Sequence, residues 1–520
     1  MFVRRKRNKT GSVSIQVIDK SHGRYRVQKS LGTGLTESEL TLLEEKAHQF
    51  IREKQGLVNS LFPEPLDIHI TDFVTSLSNS QLQVIGPELV FGTLYDKIGY
   101  KFIDNELFRH LVITRLFNPG SKLKTIDYLY RYQGQSYSSD RIYRFLDELC
   151  SRKSKLRENK PDIKTQVETV AYNHTCKIAG KTPGIVFYDM TTLYFEASDE
   201  DDLRKTGFSK DGKHNCPQIF LGLLVSLGGN PIGYDIFEGN IFEGHTLIPF
   251  LEKMQNRFDL KKPIVIADSG LLSKDNIHSL VEAGYKYILG ARPKNESEVI
   301  KKKVLSLSLK DGEVGFIRKE DKTRLIISMS NKRAEKDARN RRKGLERLQK
   351  RINGGKLTKA NINNRGYNKY LQMKGEIKIS INMEKFEQDA SWDGIKGYVT
   401  NTKLSAKQVV NNYGNLWFIE RAFRINKTDL KIRPIYHRLR NRIEGHICIC
   451  FTAYTILLEL ERMLKKAKSD ITLNKAQELV KNMYRLTYKL PMTKHTESTI
   501  LKMDEEQEKL FRLVQAWGKK

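Results

Sequence analysis

Two aspartates interrupt segments of the sequence that are otherwise almost entirely apolar. Asp189 lies within Ile-Val-Phe-Tyr-Asp-Met-Thr-Thr, residues 185–192, and Asp268 follows Pro-Ile-Val-Ile-Ala, residues 263–267. Runs of this kind predict strands buried on both faces, where an ionised carboxylate is costly unless it has a partner. Either aspartate alone is also consistent with a residue that caps the turn after its strand. Taken together, the two acids indicate a shared bound cation.

A third acid, Glu420, lies in a segment with helical periodicity. At 3.6 residues per turn, one stripe of that helix carries Tyr413, Leu416, Glu420, Arg424 and Lys427. The stripe places a carboxylate beside an aromatic ring and two cations, a combination suited to binding phosphate. A solvated ladder of acidic and basic residues explains the spacing at least as well, so the spacing alone leaves both interpretations open.

The elements that must position these acids follow from the hydrophobic pattern. From Gly184 onward, apolar strands alternate with helices, which favours the α/β class. Upstream, residues 12–34 predict a small β-hairpin behind the basic arm Arg4–Arg7, and residues 100–150 predict three short helices rich in Arg and Lys. Those helices suit a DNA-binding bundle and a plain helical spacer equally.

The charge of the chain indicates a polyanionic partner. Its 520 residues include 91 Lys and Arg against 61 Asp and Glu, a net charge of +30, while a hydrophobic content of 39 % is ordinary for a globular protein. Residues 184–298 have the opposite charge balance, with 12 basic and 17 acidic residues. Residues 332–351 hold ten Lys and Arg against three acids and suit either phosphate contact or a solvated helix.

Export and membrane insertion are not expected from the sequence. No apolar stretch follows the basic start, and the stretch Ile447 to Leu458 is too short for a membrane span and predicts a buried helix. Five cysteines in so long a chain favour a reducing compartment, and their spacing does not match a zinc site. We therefore expect a cytoplasmic protein without a membrane partner.

The helical stripe resembles the Tyr-x2-Arg-x3-Glu-x6-Lys signature of bacterial insertion-sequence transposases of the insertion sequence four superfamily. Tyr413, Glu420 and Lys427 match that signature, and Asp189 and Asp268 resemble the first and second catalytic aspartates of the family. Leu416 departs from it by occupying the position of the signature arginine, whose role Arg421 or Arg424 could take over. Further similar segments are 207–213, 238–246, 393–401 and 433–443.

The resemblance implies an α/β fold with a ribonuclease H-like mixed-sheet catalytic core interrupted by an inserted domain. It is accompanied by an N-terminal β-hairpin and a helical DNA-binding region. The expected regions are a basic arm and small β region at 1–60, a helical DNA-end-binding region at 61–175, the first part of the core at 176–300, the insertion at 301–405, the second part of the core at 406–468 and a C-terminal helical region at 469–520.

The implied activity is that of a DDE-type transposase, which cleaves DNA at the ends of its element and transfers the strands into target DNA. The implied cofactor is a pair of Mg²⁺ ions, with Mn²⁺ as the alternative, which Asp189 bridges while Asp268 and Glu420 each hold one. The residues expected to contact DNA are Tyr413, Arg424, Lys427, Lys210, Lys213, Arg341, Arg342 and Lys343.

Two other functions remain open at this point. Because Leu416 replaces the signature arginine, the chain could be a catalytically weak or inactive DNA-binding protein on the same scaffold. A metal-dependent nuclease without strand transfer would use the same three acids. For the leading function, the expected partners are double-stranded DNA, as terminal inverted repeats and target, and a second copy of the chain in a homodimer on DNA, in the bacterial cytoplasm.

Overall fold

The computed structural model describes most of the chain, in two compact units. The described residues are 1–9, 11–20, 25–55, 65–150, 161–209, 212–258, 262–271, 273–355, 357, 359–363, 366–374, 378–490 and 493–517. One unit comprises residues 1–81 with 488–497, and the other comprises 82–487 with 498–520.

The first unit contains an antiparallel sheet covered by a helix. Strands β1 (Phe2–Arg7), β2 (Val13–Asp19) and β3 (Arg26–Gly34) pair in that order, and α1 (Glu37–Lys54) packs on them. A capping box formed by Thr36 and Glu39 begins α1. A second helix, α2 (Pro65–Ser76), follows. The predicted hairpin is confirmed as β2 and β3, and the basic arm is itself the strand β1.

The second unit begins with helices that pack around a buried core. They follow a short strand, β4 (Leu82–Val84), and are α3 (Thr93–Ile98), α4 (Glu106–Phe117), α5 (Lys122–Gln133), α6 (Ser139–Leu149) and α7 (Ile163–Ala179). The three helices predicted between residues 100 and 150 are α4, α5 and α6. Side-chain oxygens of Asn105, Ser121 and Ser138 cap their N-termini.

The rest of the unit alternates strands and helices before returning to helix. In chain order the elements are β5 (Ile185–Tyr194), β6 (Gln218–Ser226), β7 (Pro231–Glu238), α8 (Leu247–Phe258), β8 (Ile264–Ala267), α9 (Lys274–Glu282), β9 (Lys286–Ala291), α10 (Glu298–Ser306), β10 (Val314–Arg318), β11 (Arg324–Met329), α11 (Asn331–Asn353), β12 (Leu371–Lys374), β13 (Lys378–Ile381), α12 (Met383–Gln388), β14 (Ile395–Thr400), α13 (Ala406–Gly414), α14 (Trp417–Thr428) and α15 (Arg440–Lys466).

Eight of these strands form one mixed sheet in the order β10-β11-β14-β9-β8-β5-β6-β7. The central pairs β5–β8 and β8–β9 are parallel, and the remaining pairs with a described register are antiparallel. The predicted fold class, a mixed α/β core of the ribonuclease H-like type, is confirmed. The predicted insertion does not stand apart from this core, because β10, β11 and β14 continue its sheet.

The C-terminal region differs from the prediction that residues 469–520 are helical. Helices α16 (Leu473–Leu479) and α17 (Glu505–Ala516) flank two strands, β15 (Tyr484–Lys489) and β16 (Thr496–Ile500). These strands join β4 in a sheet of order β16-β15-β4, a long-range pairing that helical periodicity cannot reveal. Helix α15 is buried as predicted. Within the described ranges, no helix is both long and apolar enough to cross a bilayer.

Candidate active site at the ends of two parallel strands

Asp189 and Asp268 occupy matching positions on neighbouring parallel strands. The register of β5 with β8 pairs Phe187 with Ile266 and Tyr188 with Ala267, so the next matched positions are the two aspartates. Adjacent strands lie about 4.8 Å apart and matched residues of a parallel pair project to the same face. The fold therefore brings together two acids that are 79 residues apart in the sequence.

Helix α14, which carries the third acid, packs on the same face of the sheet. Side chains alternate along a strand, so Asp189 shares a face with Phe187. The ring of Phe187 contacts that of Phe418 on α14, with centroids 6.4 Å apart, so this helix packs on the face that carries Asp189. Glu420 lies on this helix and lines the same cleft as Asp268, while the grouping of all three acids stays a prediction.

Asp268 and Glu420 line an open cleft of about 540 Å³. Both side chains are exposed, whereas Asp189 is half-buried in its strand and accepts a hydrogen bond of 2.7 Å from the backbone N–H of Met190. Other residues that line the cleft are Ser269, Arg292, Arg333, Lys396, Tyr413, Leu416 and Trp417. The cleft is polar, accessible and bordered by both carboxylates and cations, which suits binding of a phosphodiester.

Tyr413 fixes the position of one cleft carboxylate. Its hydroxyl donates a hydrogen bond of 3.1 Å to Oδ1 of Asp268. Burial raises the pKa of Tyr413 well above its usual range, and the nearby negative charges of Asp268 and Glu420 add to this effect. The hydroxyl thus remains a donor at all physiological pH values, and it holds Asp268 as an acceptor.

Lys396 places a positive charge between the carboxylates and the insertion. It lies on β14 with its ammonium group over the Tyr413 ring, 4.6 Å from the centroid. Burial, together with the Arg333 guanidinium, lowers the pKa of Lys396, whereas Asp268 and Glu420 oppose that shift. Neither Lys396 nor Arg333 was predicted to line the cleft, because Lys396 reaches it on β14, which pairs with β9, and Arg333 reaches it from the first turn of α11.

The missing signature arginine is not replaced by its neighbour Arg421. That guanidinium forms an ion pair of 2.5 Å with Glu461 on α15, and both side chains are largely buried. Leu416 itself is 8 % exposed and contributes an apolar surface to the cleft. The expectation that Arg421 takes over the phosphate contact is therefore wrong, because its charge is already neutralised inside the fold.

The other predicted DNA contacts on the core occupy different environments. Arg424 is exposed on α14 one turn beyond Glu420, and Lys427 is half-buried near the end of that helix. Lys213 is exposed, with its ammonium group 5.6 Å from the centroid of the Tyr194 ring at the end of β5. Lys210 lies outside the described residues.

Of the three residues of the insertion that were predicted to contact DNA, one is held in an internal ion pair and two are exposed. Arg341 forms an ion pair with Asp393, lies 5.3 Å from the Phe386 ring centroid and retains 13 % exposure of its side chain. The prediction that it contacts DNA is not supported, because its guanidinium is used inside the insertion. Arg342 and Lys343 are exposed on α11, and their contact with DNA remains a prediction.

The described residues do not form a ready-made metal site. Among them, no three His, Cys, Asp or Glu side chains lie close enough together to hold a metal ion. The donor set nevertheless fits a hard divalent ion, because Asp189, Asp268 and Glu420 offer only carboxylate oxygens. Mg²⁺ sites commonly combine one or two carboxylates with water and substrate phosphate, so DNA would complete the coordination.

The class of the catalytic domain is shown by a family model. Residues 180–456, slightly more than half of the chain, match the model of the transposase DDE domain. The chain belongs to this family of transposases. The matched range begins just before β5 and ends within α15, so it contains all three acids.

Searches of known proteins and structures add the following likenesses. The piggyBac transposase synaptic complex with hairpin DNA is 11 % identical, with 76 % of each chain covered and a TM-score of 0.37. The Mos1 transposase paired-end complex is 14 % identical, with 48 % of this chain and 71 % of that one covered and a TM-score of 0.16. No curated protein sequence matches significantly.

Proposed function

We propose that this transposase cleaves DNA at the ends of its element and transfers the resulting 3′-hydroxyls into target DNA, using Asp189, Asp268 and Glu420. The observation that carries the proposal is that Asp189 and Asp268 directly follow the matched pair Tyr188 and Ala267 of β5 and β8, while Glu420 lines the same cleft as Asp268. On the resemblance of Tyr413, Glu420 and Lys427 to the family signature, we also propose that the protein is a member of the insertion sequence four superfamily that acts in a bacterial cytoplasm.

The chain's own residues would bind and orient the substrate. Tyr413 holds the Asp268 carboxylate, and Lys396 and Arg333 offer positive charge to a phosphodiester that enters the cleft. When bound, two Mg²⁺ or Mn²⁺ ions supply activation of the attacking water or 3′-hydroxyl and charge stabilisation at the leaving oxygen. Asp189 would bridge the ions, while Asp268 and Glu420 would each hold one.

Double-stranded DNA is the proposed partner. The acidic segment 184–298 has a net charge of −5 and carries two of the acids, so the remaining chain carries +35. Exposed cations on α11 and α14, including Arg342, Lys343 and Arg424, are available to hold the backbone against this acidic centre. Because two element ends must be joined in one event, we propose a homodimer on DNA.

The test is a cleavage assay with the full-length protein and duplexes made from the two ends of the element that carries the gene. Asp189→Asn, Asp268→Asn and Glu420→Gln should each reduce metal-dependent cleavage at least about 100-fold, because each removes charge from the reacting centre. DNA binding in a mobility-shift assay should persist. The matched control is Asp202→Asn, which removes an exposed acid from the same segment.

Retention of cleavage by any of the three variants would contradict the mechanism. A second assay incubates the protein with plasmid DNA and with cleaved element ends that bear 3′-hydroxyls. A transposase joins these ends to the plasmid, whereas a nuclease without strand transfer does not. Binding without cleavage or joining by the unmodified protein would favour the alternative of an inactive DNA-binding protein, for which the absence of an arginine at position 416 is the motivating observation.

A further inference from the structure

A second pocket, of about 420 Å³, lies among the helices and contains an unusual concentration of positive charge. Its walls come from the end of α4, the start of α5, the segment 431–437 and α15. The basic residues that line it are Arg115, Lys122, Lys431, Arg433, His437 and His446. No acidic residue lines it.

Two of these cations are buried without a counter-charge. Lys122 and Arg115 are each 5 % exposed. In the described part of the chain neither forms an ion pair with an acid, and the Arg115 guanidinium makes a long hydrogen bond of 3.5 Å to the carbonyl of Leu430. A buried charge that lacks a partner is costly, so the fold retains these two against a penalty that a bound anion would relieve.

His446 adds a buried polar atom that also lacks a partner. Its Nε2 lies 3.0 Å from the carbonyl oxygen of Ile432 and donates to it, which fixes the ring. With the proton on Nε2, Nδ1 is an acceptor; it is buried, has no hydrogen-bond partner among the described residues and calls for a donor. The ring lines the pocket beside His437, with centroids 5.7 Å apart.

Burial and repulsion between neighbouring cations shift the pKa values of two residues that line the pocket. Burial and the Arg115 charge lower the pKa of Lys122 to about 7. Burial, Lys122, Arg442 and Arg115 lower the pKa of His437 to about 4 against the opposing effect of Asp147.

That single nearby acid is already engaged. Arg442 forms a bidentate ion pair with Asp147, at 2.7 and 2.8 Å. The described residues that line the pocket from α4, α5, the segment 431–437 and α15 are cationic or neutral, and Asp147 on the neighbouring α6 is paired with Arg442. An anion in the pocket would remove the repulsion between them.

Helix α5 directs its N-terminus to the same place. Ser121 caps the helix by accepting a hydrogen bond from the Lys124 backbone N–H, and Lys122 is its first residue. The first turn of a helix carries a partial positive charge and unpaired N–H groups, which favour an anion. This feature adds to the two buried cations, Lys122 and Arg115.

We propose that this pocket is a binding site for a phosphate group, held by Lys122 and Arg115 at its base and admitted past Lys431 at its exposed edge. The concave shape and the number of cations suit a dianionic phosphate that is free or at a strand terminus better than a singly charged internal diester. A 5′-terminal phosphate of DNA and inorganic phosphate share this chemistry. The terminal phosphate rests on the proposed function, whereas the site itself does not.

The experiment measures inorganic phosphate binding to the full-length protein by calorimetry, at constant ionic strength in chloride. We expect saturable binding at one site that Lys122→Met weakens about 10- to 100-fold, as expected for loss of a charge-assisted hydrogen bond. Without phosphate, Lys122→Met should melt at a higher temperature than the unmodified protein, because an uncompensated charge has been removed. The matched control, Lys124→Met, removes an exposed charge from the same helix and should change neither result.

Absence of saturable phosphate binding, or equal binding by the Lys122→Met variant, would overturn the proposal. If that variant does not fold, Lys431→Asn decides, because Asn tolerates the φ of +46° at this position while removing the charge. It should weaken phosphate binding several-fold, and unchanged affinity would count against the site.

Short duplexes with and without a 5′-phosphate identify the source of the ligand. If inorganic phosphate competes with the phosphorylated duplex but not with the unphosphorylated one, and if this competition is lost in Lys122→Met, the pocket binds DNA ends. If Lys122→Met loses phosphate binding but binds both duplexes as the unmodified protein does, the pocket binds free phosphate. Asp268→Asn should lose cleavage and still bind phosphate, whereas Lys122→Met should lose phosphate binding. The cleavage mechanism and the phosphate site can therefore fail independently of each other.

Discussion

The Tyr413 hydroxyl donates a hydrogen bond of 3.1 Å to the Asp268 carboxylate, joining α13 to the end of β8 across 145 positions of sequence. This bond links the family signature to the second aspartate. It also explains why an aromatic residue with a donor is needed at position 413: a carboxylate at the open end of a strand can rotate, and the hydroxyl restricts it. Four predictions follow from this contact and from the insertion that borders the cleft.

Tyr413→Phe should reduce the rate of DNA cleavage about 5- to 10-fold, because a hydrogen bond to a charged group is lost while the ring and its packing remain. The decrease should appear in kcat more than in KM, measured with an element-end duplex. Tyr398→Phe is the control, since Tyr398 packs against Tyr413 with centroids 4.8 Å apart but bonds Ser328 instead of Asp268. Equal losses in both variants would contradict a specific role for the Tyr413 hydroxyl that bonds Asp268.

Gly290→Ala should disturb the same contact from the other side. A Cβ at Gly290 would overlap the Tyr413 hydroxyl and approach the Ser269 backbone nitrogen to 3.1 Å. We expect a loss of cleavage comparable to that of Tyr413→Phe, and a smaller additional loss when the two changes are combined, because removal of the hydroxyl opens the space. Fully additive losses in this double-mutant cycle would contradict the predicted coupling.

Arg341→Gln should destabilise the protein, by about 2 kcal/mol, because it leaves the partly buried Asp393 without its partner. Urea unfolding measures this loss. The double change of Arg342→Gln and Lys343→Gln should instead leave stability within about 0.5 kcal/mol, since both residues are exposed. It should weaken DNA binding and reduce the slope of log affinity against log salt by up to about 2. If Arg341→Gln weakened DNA binding without a loss of stability, or if the double change destabilised the protein without weakening DNA binding, the division of α11 into a structural and a DNA-facing part would be wrong.

Asp389 should make the insertion sensitive to acid. Burial opposes its ionisation, but hydrogen bonds from Lys369, Tyr370 and Lys294 more than offset this and lower the pKa of Asp389 from 3.8 to about 2. A lowered pKa in the folded state stabilises the fold above the ordinary value, and the contribution disappears as the pH falls toward the lowered one.

Asp389→Asn should therefore destabilise the protein at about pH 5 and much less at about pH 2, with the difference closing between about pH 4 and 2. Urea unfolding at each pH measures it, and Asp311→Asn, which changes an exposed acid of the insertion, serves as the control. A constant difference across this range would show that the carboxylate charge does not stabilise the fold.

Local pattern was sufficient to predict most elements around the site. Apolar runs predicted β5 and β8, and the cost of burying charge identified Asp189 and Asp268 as residues that need a partner. Helical periodicity predicted α4, α5 and α6, but it predicted one helix for the stripe from Tyr413 to Lys427 where the structure has two, α13 ending at Gly414 and α14 beginning at Trp417. It failed for β15 and β16, because β15 pairs with β4, about 400 residues away, and β16 joins the sheet through β15.

The sequence by itself determined which residues can do chemistry, since carboxylates in apolar strands and a spaced signature are properties of neighbouring positions. The tertiary structure alone decided which of them meet and which cations remain free. The parallel register aligns Asp189 with Asp268, β14 delivers Lys396 to their cleft, and Asp393 and Glu461 neutralise Arg341 and Arg421. These relationships depend on contacts between distant segments, where burial and pairing, not residue type, determine whether a charge is available.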